Sequence, residues 1–368
     1  MTESVAFTDI KVDDEMVARV EEALRSGRFV KGPLVEQFEA AFADACDAEH
    51  AVAVNSGTDA IYLALKSVGV GEGDQVIVPA HTFFASASPI LELGAEPVFV
   101  DVDPLTYTVD VDHLGRAAER SEDAEAIVPV HLYGHPADMK GIRRVARRHD
   151  LAVVEDSCQA HGATYEGQPT GSLGDVGCFS FYPSKNMTVG GDGGILTTDD
   201  AEIARRAREY RNHGRNDDGE HVRLGLNHRM DDVSAAFGLE QLSHLADWNA
   251  GRQRAAERYR DRLESVTAVR LPTERDDVDH VYHLFVIQSD ERDELRDHLE
   301  SQGIDTGIHY ETPVHQTEAI RAEMASVPTL PRTERLVDRI LSLPMHPRIT
   351  DAEVDRVCDE IERFYGER

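Results

Sequence analysis

Two stretches decide the fold: Ala152–Ala163, AVVEDSCQAHGA, and Cys178–Gly194, CFSFYPSKNMTVGGDGG. Each begins as a short apolar run and ends in a polar group. Asp156 follows Ala152, Val153 and Val154, and Lys185 lies in a loop after Cys178, Phe179, Ser180 and Phe181. Runs of this length and composition read as buried strands of a parallel sheet, and in open α/β sheets ligands collect at the carboxyl ends of the strands. Both residues therefore sit where a ligand would be. An acid and a lysine together suit pyridoxal phosphate, which needs an amine to hold its aldehyde as a Schiff base and a carboxylate to keep its ring nitrogen protonated.

Outward from these stretches, residues 51 to 198 alternate short β-rich runs with helical patterns: AVAVN, QVIVPA, PVFVDV, AIVPVHLYG, AVVEDS, CFSF and ILTT, with helices from Asp59 and near Ser86 between the first three. This rhythm predicts an α/β fold with a large, mostly parallel seven-stranded sheet wrapped by helices. A long helical pattern follows, with Val233, Ala236, Phe237, Leu239, Gln241 and Leu245 in register, and bridges to a second domain. Beyond about residue 265 the chain reads as a strand, VYHLFVIQ, a helix at Asp290 to Ser301, a return through IDTGIHY, and helices from Pro331 and Thr350. The expected division is a large cofactor-binding domain over residues 1–245 and a smaller α+β domain over 246–368.

The 368 residues carry 69 acidic and 38 basic side chains, a formal charge of −31, and only five of the basic residues are lysines. This balance argues against binding a nucleic-acid backbone. An acid excess poor in lysine suits a protein kept soluble in concentrated salt, so a halophilic source is expected; an acidic surface from a high-GC genome is the plainer alternative. Cys46, Cys158, Cys178 and Cys358 are far apart, so neither a disulfide framework nor a metal site is expected. The N-terminus has no signal-like apolar core and no segment approaches membrane-span length, which places the protein in the cytoplasm.

NSGTDAIYLAL (55–65) follows a strand and opens a helix whose positions 61, 64, 65 and 68 share one face. Ser56, Gly57 and Thr58 then stand at a helix N-terminus, where free amides and the macrodipole bind an anion such as a phosphate; helix capping alone is the competing explanation. Lys185, between a buried strand and a glycine-rich turn, reads as a desolvated nucleophile rather than a surface charge. Ser180 could reach the phosphate or simply cap its strand. Asp156 could cap the next element, but its place on the strand before the lysine segment favours the ring nitrogen. Phe83, in HTFFAS just past a strand, would stack on a bound ring or fill the core. In GLNHRMDD, Asn227 and Arg229 lie in a loop without apolar rhythm and read as solvated, unless the loop crosses a dimer interface, where Asn227 could complete the phosphate site of the neighbouring subunit.

In order along the chain, GPLVEQFE, NSGTDA, PAHTFFAS, VHLYGHPADM, EDSCQAHGA, FSFYPSKNMTVGGDGG, GLNHRM, IHYETPVHQ and LSLPMHP resemble the fold-type I aminotransferases of the DegT/DnrJ/EryC1/StrS family. The resemblance implies Lys185 as the Schiff-base lysine and proton shuttle, Asp156 at the ring nitrogen and Phe83 on the ring face. It also implies Gln159 near the cofactor hydroxyl, and Gly57, Thr58, Ser180 and a neighbouring copy's Asn227 around the phosphate. Three positions depart from the family pattern: His228 for the usual Tyr, Glu311 for a common Pro, and His346 for Tyr or Phe.

The implied reaction moves an amino group, from glutamate, through pyridoxal phosphate to a nucleotide-linked keto sugar in amino-sugar and polysaccharide biosynthesis, in a homodimer with shared sites. His309 and Tyr310 are the candidates for acceptor contact, against ordinary packing of their loop. Three other readings stand beside this one: a sugar dehydratase, against which Lys185 argues because those relatives carry histidine there; a non-sugar ketone acceptor such as an aminocyclitol precursor; and a non-catalytic regulatory relative.

Overall fold

A computed structural model describes residues 4–30 and 32–366. Its centre is a seven-stranded sheet made of β1 (His50–Val54), β2 (Gln75–Pro79), β3 (Glu96–Val100), β4 (Ala124–Ile127), β5 (Ala152–Asp156), β6 (Val176–Ser180) and β7 (Gly194–Thr198). The spatial order is β1-β7-β6-β5-β4-β2-β3. β3, β2, β4, β5 and β6 run parallel, whereas β7 is antiparallel to both β6 and β1. All seven runs expected from the sequence are strands, and the sheet is mostly parallel as their rhythm predicts.

Both faces of this sheet are covered, so its strands are nearly continuous in apolar residues. On one face the helix Gly57–Val68 lays Ile61, Leu63, Ala64 and Leu65 against Val52, Val78 and Val154, all essentially inaccessible to solvent. Burying each of the larger side chains contributes about 1.5–3 kcal/mol. On the opposite face Phe38, Phe42, Phe179 and Phe181 form a mutually tilted aromatic cluster under the helix Pro33–Ala45.

Several element boundaries shift from their sequence expectation. The helix expected from Asp59 begins at Gly57, because Ser56 caps it by accepting from the Asp59 amide. The helix expected near Ser86 is a 3-10 turn, Phe84–Ser86, followed by the five-residue helix Ser88–Glu92. The strand read from VYHLFVIQ starts only at Phe285, since Tyr282 has a positive φ of 43° that breaks extended backbone. The helix from Thr350 starts as expected: Thr350 Oγ1 accepts from the Glu353 amide, and Glu353 Oε2 accepts from the Thr350 amide.

The helix Asp232–Leu263 runs 32 residues without interruption through the expected 245/246 division. Its first half packs on Asp14–Ser26 and Pro33–Ala45. Its second half places Ala255, Ala256, Tyr259 and Leu263 in a separate core with the small sheet Val269–Arg270, Phe285–Ser289 and Ile340–Leu343 and the helix Asp351–Gly366. No helix among the described residues is long and apolar enough to cross a membrane.

Strand β5 is anchored through Glu155, which is fully buried. Its Oε1 accepts from the amides of Leu173 and Gly174, both at 2.7 Å, and its Oε2 from the Gly171 amide at 3.0 Å. His131 Nδ1 accepts from the Ala137 amide, so its Nε2 carries the proton and donates to Glu155 Oε2 at 2.9 Å. Four donors therefore depend on one carboxylate adjacent to Asp156. Glu155→Ala orphans all four, and the expected loss is at least about 3 kcal/mol of folding stability; an unchanged midpoint of denaturant unfolding would refute this anchoring role.

Candidate active site

The carboxyl ends of β1, β5 and β6, together with the loop after β2, open onto a cavity of about 520 Å3. Ser56, Gly57, Thr58, Phe83, Asp156, Gln159, Ser180, Lys185, His309 and Tyr310 all line it. Nine residues assigned to the site from sequence thus converge on one chamber: Gly57, Thr58, Phe83, Asp156, Gln159, Ser180, Lys185, His309 and Tyr310. Asn227 does not join them. It is exposed on the loop before the long helix, where its Oδ1 faces the Arg229 amide at 3.5 Å.

Lys185 is placed by a tight loop. Its amide donates to Tyr182 O at 2.8 Å, while beyond it Thr188 Oγ1 donates to Phe181 O and the Thr188 amide to Gln241 Oε1. The Lys185 amine makes no hydrogen bond or ion pair among the described residues. Burial pushes its pKa below the usual lysine value, with Cys158 and Asp156 pulling weakly the other way. A desolvated, unpartnered amine is a nucleophile in waiting.

Asp156, only 5% exposed, is fixed in place by two ordered donors. Ser86 Oγ donates to Oδ2 at 2.5 Å and the Cys158 amide to Oδ1 at 3.1 Å. With its proton so committed, Ser86 Oγ can only accept from Thr82 Oγ1, 2.7 Å away. Ser86 and Thr82 escaped notice in the sequence because HTFFAS shows an exposed aromatic, not a hydroxyl relay. Phe83 itself is 53% exposed, tilted at 41° to Tyr310 with ring centroids 5.6 Å apart, so one face remains free toward the cavity.

Gln159 is fixed at both ends: Oε1 accepts from the Tyr133 amide at 2.7 Å, and Nε2 donates to Tyr310 Oη at 3.0 Å. Tyr133 in turn donates to His309 O and takes a hydrogen bond from His81 Nε2 at 2.8 Å. Tyr133 and His81 are core residues that periodicity could not separate from packing. Ser180 Oγ also accepts from the Tyr182 amide at 3.3 Å, so its capping role is present beside its place in the cavity.

At the helix N-terminus Gly57 lies directly on the end of β6. A Cβ there would stand 2.5 Å from Ser180 Cβ, closer than any side chain can approach. Among the departing residues, His228 Nδ1 lies 3.0 Å from Asp59 Oδ1 in that same first turn. Glu311 is exposed, and His346 is buried. The one group of described residues with ligand atoms mutually within 4.8 Å, Asp13, Glu15 and His244, lies outside the cavity; Asp13 caps the first helix by accepting from the Met16 amide.

The chamber fits pyridoxal phosphate on its own terms: an unpartnered amine, a locked carboxylate, an aromatic face and amides at a helix N-terminus that glycine alone can bring against β6. Sheet order and site together define a fold-type I pyridoxal-phosphate enzyme. The chain belongs to the DegT/DnrJ/EryC1/StrS aminotransferase family, whose model matches residues 11–362. It is 43% identical to a dTDP-3-amino-3,4,6-trideoxy-alpha-D-glucose transaminase of Streptomyces venezuelae, covering 100% of this chain and 97% of that one. It is 41% identical to a UDP-N-acetyl-3-dehydro-alpha-D-glucosamine 3-aminotransferase of Acidithiobacillus ferrooxidans, covering 95% and 94%. The crystal structure of S. venezuelae DesV in complex with a ketimine intermediate superposes with a TM-score of 0.96 at 43% identity, covering 100% of both chains.

Two outcomes follow from this geometry. Gly57→Ala forces the helix start away from Ser180, and overpacking of this kind costs about 1–3 kcal/mol, expected as roughly tenfold or more weaker binding of pyridoxal phosphate in a fluorescence titration; unchanged affinity would contradict the close approach. Burial holds His81 and His161 at about 3 and His135 and His309 at about 4, all below the ordinary 6.5. The unfolded chain therefore binds more protons than the folded one between pH 6.5 and 4, and stability is lost as pH falls through that window. A melting temperature that holds constant from pH 7 to 4 would overturn the assignment of these rings as neutral.

Proposed function

We propose that the protein transfers an amino group from glutamate to carbon 3 of a nucleotide-linked keto sugar, using pyridoxal phosphate, in amino-sugar biosynthesis. One observation carries the reading: the free amine of Lys185 and the locked carboxylate of Asp156 face the same chamber. The choice of carbon 3 and of a nucleotide-linked acceptor is supported by the relatives' names, both of which place the new nitrogen there.

When bound, the cofactor acts as an electron sink that makes the hydrogen on the amine-bearing carbon acidic. Asp156, positioned by Ser86 and the Cys158 amide, would hold a proton on the ring nitrogen and so keep that sink effective. Lys185, once its amine is released, takes the proton from the donor's α-carbon, and with the sugar it runs the same transfer in reverse. The amides of Gly57 and Thr58 and the hydroxyl of Ser180 hold the phosphate at the helix N-terminus. Phe83 would cover one ring face, Gln159 would lie toward the ring hydroxyl, and His309 and Tyr310 border the space left for the acceptor.

The site is completed by a second copy. Exposed Leu224 (91%) and Leu226 (62%) directly precede Asn227 on its loop, and an apolar groove of about 540 Å3 lined by Val17, Phe29, Val30 and Phe237 opens on the start of the long helix. Such a surface suits burial in a homodimer, with Asn227 of the partner subunit reaching the phosphate. Within each copy, residues 1–245 act as the cofactor-binding unit and 246–368 as the smaller one, with the long helix continuous between them. The acid excess is read as adaptation to a salt-rich cytoplasm.

Lys185→Ala is expected to abolish both turnover and the visible absorption of the holoenzyme while leaving the fold intact by circular dichroism. Retention of the visible band would refute the role of Lys185. In the wild type, glutamate should bleach that band, and a dTDP- or UDP-linked 3-keto sugar should restore it.

A further inference from the structure

His283 lines the chamber beside Lys185, on the segment that enters the small sheet, and is 6% exposed. Its tautomer follows from a chain of amides. Asn249 Nδ2 donates to His161 O at 2.8 Å, so Asn249 presents its oxygen to Asn186, whose Nδ2 donates to it at 2.9 Å and also to Val281 O at 3.1 Å. Both amide groups are thereby oriented by backbone carbonyls, which can only accept. Asn186 Oδ1 is left as the acceptor facing His283 Nδ1 at 3.2 Å, so Nδ1 carries the ring proton. The other nitrogen, Nε2, retains its lone pair and makes no hydrogen bond among the described residues.

Asn186 immediately follows Lys185, so the side chain that fixes this imidazole is carried by the same turn that presents the amine. We propose that His283 is a positioning residue for Lys185, its unpartnered Nε2 lone pair serving as the acceptor toward which the lysine ammonium turns when it leaves the cofactor; the two groups face the same chamber with no bond between them in the structure. This rests on Lys185 being the proton-transferring group. The choice of acceptor matters physically. A carboxylate at this position would lock the lysine as an ion pair and raise its pKa strongly, whereas a neutral imidazole steers the amine at a much smaller electrostatic cost to its basicity. Burial keeps the ring neutral, and the charges facing it, Lys185 and Arg252, disfavour its protonation further. Arg252 Nη1 also donates to His283 O at 3.2 Å, fixing the backbone that carries the ring.

The test uses the full-length apoprotein labelled with 15N-histidine and 13C-lysine. With only five lysines in the chain, the Lys185 signal is assigned by its loss in Lys185→Arg. The expected results are a His283 ring protonated at Nδ1 and not at Nε2, and a Lys185 titration midpoint that moves down in His283→Phe and recovers in His283→Gln, whose side-chain oxygen can accept. In the holoenzyme, His283→Phe should lower kcat about 10- to 100-fold, as misorientation of a reacting group does, with KM for the donor little changed. A ring protonated at Nε2, or a Lys185 midpoint identical in all three proteins, overturns the proposal. Failure of the broader reading is seen separately, as no visible absorption change when pyridoxal phosphate is added to the wild type.

Discussion

A lysine amine stripped of water and without an ionic partner among the described residues, facing the same chamber as a buried carboxylate that already has ordered donors, is the constraint on which the site depends. Placed within contact distance, the two would neutralise one another as an ion pair and neither would be available for chemistry. The chain prevents this by spending the Asp156 oxygens on Ser86 and the Cys158 amide, and by turning Lys185 out on a loop pinned through Tyr182, Thr188 and Gln241. Nucleophile and acid are thus preorganised separately, and a molecule with an electrophilic carbon at one edge and a basic nitrogen at the other can bridge them.

The surrounding electrostatics serve the same end. Around the chamber the titratable groups are largely kept neutral: burial depresses His81, His161, His283 and His309 and raises Tyr133 and Tyr310. An aromatic and imidazole wall of this kind orients hydroxyls by hydrogen bonds without adding net charge, which suits a polar, uncharged sugar ring better than it suits a second ion. The relay from His81 through Tyr133 to the His309 carbonyl, and from the Tyr133 amide through Gln159 to Tyr310, ties the large sheet to the loop of the smaller unit across the cavity. The two sides of the cavity are consequently joined by one hydrogen-bonded frame.

Much of this was legible in the sequence because parallel strands announce themselves: a strand buried on both faces has no polar alternation, so AVVED and CFSF could be little else, and their polar ends had to lie at a sheet edge. Chemistry at strand ends is therefore readable. Side chains that act through other side chains are not. Ser86, Tyr133 and His283 sit in HTFFAS, VHLYG and VYHLF, where each is indistinguishable from a core or turn residue until the fold brings it to the cavity. The boundary expected at 245/246 shows a different limit. An amphipathic period shows that a long helix reaches a second unit, but not at which residue its buried face passes from one core to the other, as it does between Leu245 and Tyr259 here. Asn227 marks the remaining one: it is singled out in the sequence, yet within one copy of the chain it stands exposed and outside the cavity.

The most direct measurement is to reduce the holoenzyme with borohydride, digest it and locate the pyridoxyl group by mass spectrometry. The account predicts a single modified peptide, the one containing Ser184-Lys185-Asn186. A pyridoxyl group found on Lys11, Lys31, Lys66 or Lys140 instead, or on no lysine at all, would contradict it.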